Sequence, residues 1–124
     1  MANELILIVE DNEKNRKLVR DVPQHKGYRT AEAETAEEGI RLAQESRPAL
    51  ILMDIQLPGM NGIEALGRLR ADPKTKKIPV IAVTASAMTQ DRQKIMAAGF
   101  DGYQSKPINV KEFVAAVREM LDRK

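Results

Sequence analysis

Ile51-Leu52-Met53-Asp54-Ile55-Gln56-Leu57-Pro58-Gly59-Met60-Asn61-Gly62 is a short apolar run that carries one carboxylate, Asp54, to the point where a Pro-Gly turn begins. A wholly apolar run of strand length reads as a strand buried on both faces, so it belongs inside a parallel sheet. An ionised group is too costly for such a core, but at the open end of the strand it is held rigidly and still meets water. A second run, Leu5-Ile6-Leu7-Ile8-Val9, ends the same way, in Glu10-Asp11. Two apolar strands that each finish in acid point to a carboxylate cluster suited to a divalent cation.

The chain has 124 residues, which predicts one domain spanning 1–124 with a single core. It is 43% hydrophobic and 31% charged with a formal charge of +2, too small and too scattered a positive excess to point to nucleic acid. The absence of Cys excludes disulfides, thiolate metal sites and thiol catalysis. Met1-Ala2-Asn3-Glu4 lacks a basic n-region and the next apolar run is too short for a signal peptide or a membrane span, so a cytoplasmic protein with no membrane partner is expected.

Strand and helix patterns alternate throughout. Strands are expected at Leu5 to Val9, Tyr28 to Ala33, Ala49 to Met53, Pro79 to Val83 and Gly102 to Ser105, the second more polar and at an edge. Helices are expected from Asn12 to about Lys26, after the capping box Thr35-Ala36-Glu37-Glu38, from Ile63 to Leu69, from about Met88 to Ala98, and from Asn109 onward. The last should bury Val110, Phe113, Val114, Val117 and Leu121 on one face. Pro23 predicts a kink or an early end for the first helix, since proline removes a helical hydrogen bond and clashes with the preceding turn. Five such units argue for a doubly wound, flavodoxin-like α/β sandwich with parallel strand order 2-1-3-4-5. In that order the site lies beyond the carboxyl ends of the first and third strands.

Five polar side chains fall at or just past strand ends: Glu10, Asp11, Asp54, Thr84 and Lys106. Parallel strands bring them to one rim. Three carboxylates there repel one another unless a cation intervenes, and Mg2+ is the natural choice, a hard ion held by carboxylates, waters and phosphate. With an ammonium and a hydroxyl beside them, the set suits a phosphoryl group and a carboxylate that attacks phosphorus. Asp54 as a mere turn cap would not explain two more acids on the neighbouring strand end. Glu10 and Asp11 also suit the start of the next helix, whose dipole favours acids, and both roles are compatible.

Ile8-Val9-Glu10-Asp11-Asn12, the stretch from Leu52 to Gly62, Val83-Thr84-Ala85, Ala98-Gly99-Phe100-Asp101 and Lys106-Pro107, in this order and spacing, resemble the receiver domain of bacterial two-component response regulators over essentially the whole chain. Within that family the likeness is greatest to stand-alone regulators of the DivK type. The resemblance implies that Asp54 is the phosphoacceptor, taking a phosphoryl group from a histidine kinase or phosphotransfer protein. It implies Mg2+ held by Asp11, Asp54 and the Gln56 backbone carbonyl, with Glu10 assisting. Thr84, the Ala85 backbone N–H and Lys106 would bind the phosphoryl group, Tyr103 would turn inward with Thr84, and the Lys106-Pro107 bond would be cis. A downstream protein would read the face of the fourth helix, fifth strand and fifth helix, the chain being a monomer or weak dimer.

Glu10 stands where Asp is common in relatives, Gln56 and Ser86 where side chains modulate water access to the phosphoryl group, and Pro23 where an apolar helical residue is usual. His25 is expected on the surface, and Met53, Met88 and Met96 as core or interface filler. A Mg2+-dependent phosphatase or phosphotransferase with an aspartyl intermediate is the rival reading. Such enzymes tend to carry a general acid where this chain has Gln56, and a cap insertion. A flavin carrier fails at Glu10-Asp11-Asn12-Glu13, whose charge opposes a cofactor phosphate. The ends at Met1 and Lys124 favour a regulator without an output domain, the alternative being a receiver cut from a larger regulator or hybrid kinase.

Overall fold

The computed structural model describes residues 4–57, 59–84, 89–105 and 109–122. In chain order the elements are β1 (Leu5–Val9), α1 (Glu13–His25), β2 (Arg29–Ala33), α2 (Ala36–Ser46), β3 (Leu50–Asp54), α3 (Gly62–Ala71), β4 (Val80–Thr84), α4 (Thr89–Ala97), β5 (Gly102–Ser105) and α5 (Val110–Asp122). The five strands form one parallel sheet in the order β2-β1-β3-β4-β5, as the sequence predicts.

The alternation of side chains along each strand splits the core in two. Leu7, Val9, Ile51, Met53, Val80 and Ala82 face one way and pack with residues of α2 and α3 and with Ile95 of α4. Ile6, Ile8, Leu50, Leu52, Ile81 and Val83 face the other way and pack with Val19 of α1 and Phe113, Val117, Met120 and Leu121 of α5. Burial on both sides is why β1, β3 and β4 read as unbroken apolar runs. β2 pairs only with β1 and keeps Arg29 exposed, consistent with its polar sequence.

The helix starts follow side-chain capping. Asn12, Thr35, Asn61 and Asn109 each accept a hydrogen bond from the backbone N–H three residues on, at 3.1, 3.2, 2.9 and 3.1 Å. Two expectations need correction. The first helix does not end early at Pro23: α1 runs through it to His25, and the Pro23 carbonyl accepts from the N–H groups of Lys26 and Tyr28, so the residue lies in the closing turn. Val110 is 51% exposed, being a turn ahead of Phe113, where the buried stripe of α5 begins, and Met120 joins that stripe instead.

The Ala98-Gly99-Phe100-Asp101 stretch has a structural role. Gly99 takes φ +110°, a left-handed conformation that stops α4. Asp101 accepts from Val80 N–H at 2.9 Å and from Arg70 at 2.8 Å, while Arg70 also donates to the carbonyl of Ile78 at 2.7 Å. This clamp ties α3 to the start of β4. Asp101→Ala removes a charged acceptor from both donors and should cost about 1–3 kcal/mol. Urea unfolding should show a lower midpoint at unchanged m-value.

Tyr28 packs partly buried against the α1–α5 face. Burial, with the charge of Glu4 adding and that of Arg118 opposing, raises its phenol above the usual value of 10.0. A folded-state value above the unfolded one favours the neutral form, so its stabilisation is full below about pH 10 and is lost as pH rises through the folded value. Tyr28→Phe should flatten the alkaline limb of a Tm-against-pH curve and leave neutral pH little changed.

Candidate functional site

β1 has β2 on one side and β3 on the other, so a crevice opens at the carboxyl ends of β1 and β3. Val9 is in register with Met53, which sets Glu10 and Asp54 side by side on neighbouring strands. Asp54 in turn pairs with Val83, so Thr84 follows on the next strand.

Oxygens of Glu10, Asp11 and Asp54 lie within 4.8 Å of one another. Glu10 and Asp54 are nearly inaccessible, at 3% and 4% exposure, whereas Asp11 is open to solvent. The site therefore has two rigid acids at its floor and one at its mouth. Thr84 is buried beside them, and Tyr103 is partly buried on β5 against the α2–α3 side of the core.

Local hydrogen bonds aim the acids. Asp54 Oδ1 accepts from the Gln56 N–H at 3.0 Å, turning the chain immediately after β3. Leu57, 7% exposed, then anchors the loop in the core while Gln56 faces solvent. Glu10 Oε2 accepts from the Asn12 N–H at 3.2 Å, which folds its longer arm back over the start of α1.

The donor set is all oxygen, negative and convergent, and that fits a hard divalent cation. The sequence expectation that Glu10, Asp11, Asp54 and Thr84 share one rim agrees with the structure. Lys106, Pro107, Ala85 and Ser86 lie outside the described residues, as does Met88.

Two residues of the site's framework went unassigned in the sequence reading. Gly62 opens α3 so close to β3 that a Cβ there would stand 2.5 Å from the Asp54 carbonyl oxygen and 2.9 Å from Ile55 Cα. Its N–H also donates to the Ile55 carbonyl at 3.0 Å. A glycine at the first position of a helix, where alanine has better propensity, was the available signal. Arg16 of α1 donates to the Glu10 carbonyl at 3.0 Å and pairs with Glu32 and Glu34. No sequence pattern singles it out from the chain's other arginines.

Comparison with known proteins agrees with this geometry. The family model of the response regulator receiver domain matches residues 6–118. The chain belongs to that family, the phosphorylation-dependent receivers of two-component signalling, which are in general switches rather than enzymes. Among curated proteins it is similar to the polar-differentiation response regulator DivK of Brucella anthropi, 47% identical over 116 residues and 94% of each chain. DivK of Brucella ovis is 46% identical over the same share. Among solved structures, the receiver domain of a sensor histidine kinase from Pseudomonas aeruginosa, with a magnesium ion coordinated in its active-site cleft, superposes with TM-score 0.90 at 31% identity, covering 98% of this chain and 99% of that one. A chemotaxis response regulator of Vibrio cholerae superposes with TM-score 0.88 at 25% identity, covering 96% and 99%. The phosphatase reading is not favoured. Among the described residues no helix is long and apolar enough to cross a membrane.

Proposed function

We propose that Asp54 is the phosphoacceptor of a DivK-like switch, and that Glu10, Asp11, Asp54 and the Gln56 carbonyl hold Mg2+. The observation that carries this reading is the convergence of three carboxylates at the β1–β3 crevice, two of them nearly buried. A bound divalent cation would offset their mutual repulsion and neutralise charge on a transferring phosphoryl group.

The chemistry of the chain's own residues follows. A carboxylate oxygen of Asp54 attacks phosphorus; the P–N bond to the donor histidine breaks and an acyl P–O bond forms. The Thr84 hydroxyl donates to a phosphoryl oxygen, with the Ala85 N–H and the Lys106 ammonium as further donors. Phosphate brings roughly two negative charges to the rim, which draws Thr84 and Lys106 inward and lets Tyr103 fill the space behind Thr84. Gln56 and Ser86 flank the acyl phosphate and set how readily water reaches it.

A downstream protein would read the α4–β5–α5 face, where Met96 and Val110 stand exposed at 41% and 51%. A histidine kinase or phosphotransfer protein would dock near α1, where Leu18 is 42% exposed. The test is incubation with acetyl phosphate and Mg2+ followed by intact-protein mass measurement. A single phosphate adduct, absent when EDTA replaces Mg2+, is the expected result; rapid multiple turnover of small phosphate esters would favour the phosphatase instead.

A further inference from the structure

Arg16 is the one described arginine that joins the acid-bearing loop after β1 to the sheet edge. Its side chain is only 13% exposed. Nη1 donates to the Glu10 carbonyl at 3.0 Å, Nε pairs with Glu32 Oε1 at 3.1 Å, and Nη2 with Glu34 Oε1 at 3.3 Å. Glu32 lies in β2, and Glu34 just past it. The ladder of β1 ends at Val9, yet the Glu10 N–H still donates to the Ala33 carbonyl at 3.0 Å. With Arg16 on its carbonyl, both backbone polar groups of Glu10 are fixed while its carboxylate faces Asp54.

We propose that Arg16 is a positioning residue for the cation site, its guanidinium fork tying the Glu10 carbonyl to Glu32 and Glu34 so that Glu10 and Asp11 stay aimed at Asp54. The inference rests on the reading of that cluster as a cation site. Arginine suits the task because a planar fork engages several acceptors at once in fixed directions, which a lysine ammonium on a flexible stem does not. The arrangement places a group that never touches the cation in control of the ligands that do.

A structural pairing of α1 with β2 would predict a different outcome, and Arg20 separates the two. Arg20 also pairs with Glu32, at 3.2 Å, but its other partner is Asp21 of its own helix, at 3.4 Å. Mg2+ titration calorimetry on the wild-type chain, Arg16→Gln and Arg20→Gln is the direct test. Arg16→Gln should weaken Mg2+ binding about tenfold, at the low end for groups that orient metal ligands, and Arg20→Gln less than threefold. Without metal, amide hydrogen exchange at Asp11 and Asn12 should accelerate in Arg16→Gln and not in Arg20→Gln. If Arg16→Gln does not fold, Arg16→Lys decides, and it should weaken binding at least threefold because it keeps the charge and loses the fork. A loss below threefold in the Arg16 variant, or an equal loss in Arg20→Gln, overturns the inference while wild-type Mg2+ binding stands. A wild-type chain that binds no Mg2+ overturns the cation reading and the role of Arg16 with it.

Discussion

Asp54→Asn takes up no phosphate from acetyl phosphate in the presence of Mg2+, where the wild-type chain gains a single adduct. The substitution is nearly isosteric, and the amide oxygen can still accept the Gln56 N–H that Asp54 Oδ1 takes at 3.0 Å. What it removes is the charged nucleophile. Loss of a covalent nucleophile lowers rate by orders of magnitude, so a drop on the order of a thousandfold or more is expected. Thermal melting of the same variant has the opposite sign. With oxygens of Glu10, Asp11 and Asp54 within 4.8 Å of one another, each charged pair repels by about 1 kcal/mol even at the dielectric constant of water. Asp54→Asn removes two of those pairs, so without Mg2+ it should melt higher than wild type. Saturating Mg2+ should then narrow or reverse the difference, because a cation at a hundred times its Kd adds about 2.7 kcal/mol to the form that binds it. A variant that still accepts phosphate, or that melts lower than wild type without metal, would contradict the acid-cluster account.

The sheet order and the acid rim were legible in the sequence for one reason. β1, β3 and β4 are buried on both faces, so their apolar runs stand out, and the first polar residue after each run marks the rim. Glu10, Asp54 and Thr84 are those residues or their strand-end neighbours. Capping was legible too, because Thr35 and Asn109 act within three residues of themselves. What stayed hidden depends on contacts distant in sequence. Arg16 meets Glu32 and Glu34 only because β2 lies beside β1, and nothing local in α1 records that pairing. Val110 has the spacing of the buried stripe, yet helical periodicity does not say where along α5 the contact with the sheet begins. Pro23 does not stop α1, which closes two residues later at His25; its ring is buried, and the packing that holds it is not recorded in the local sequence of α1.

Gly62→Ala and Gly67→Ala, the same change made twice on α3, should move stability in opposite directions. At Gly67 an added Cβ meets nothing within 4 Å, so the variant gains helix propensity and reduces the freedom of the unfolded chain. A gain of about 0.5–1 kcal/mol follows. At Gly62 the same propensity gain is outweighed by a Cβ placed 2.5 Å from the Asp54 carbonyl oxygen. That neighbour is backbone at the end of the central strand, in register with Val83 of β4, and it cannot rotate away as a side chain can. Gly39 makes the contrast: its Cβ would meet Val9 Cγ2 at 2.7 Å, the tip of a side chain. The helix must therefore retreat from β3, which stretches the 3.0 Å bond from the Gly62 N–H to the Ile55 carbonyl. Overpacking of this kind costs about 1–3 kcal/mol. The displaced residues are those that turn the chain after Asp54, so Gly62→Ala should also slow phosphate uptake from acetyl phosphate, by roughly tenfold for a shift of a few tenths of an ångström. Gly67→Ala should leave that rate unchanged. Urea denaturation of both variants gives the stability signs, and the adduct rate by mass gives the functional split. A Gly62→Ala protein as stable and as quickly phosphorylated as Gly67→Ala would mean that α3 does not set the position of Asp54.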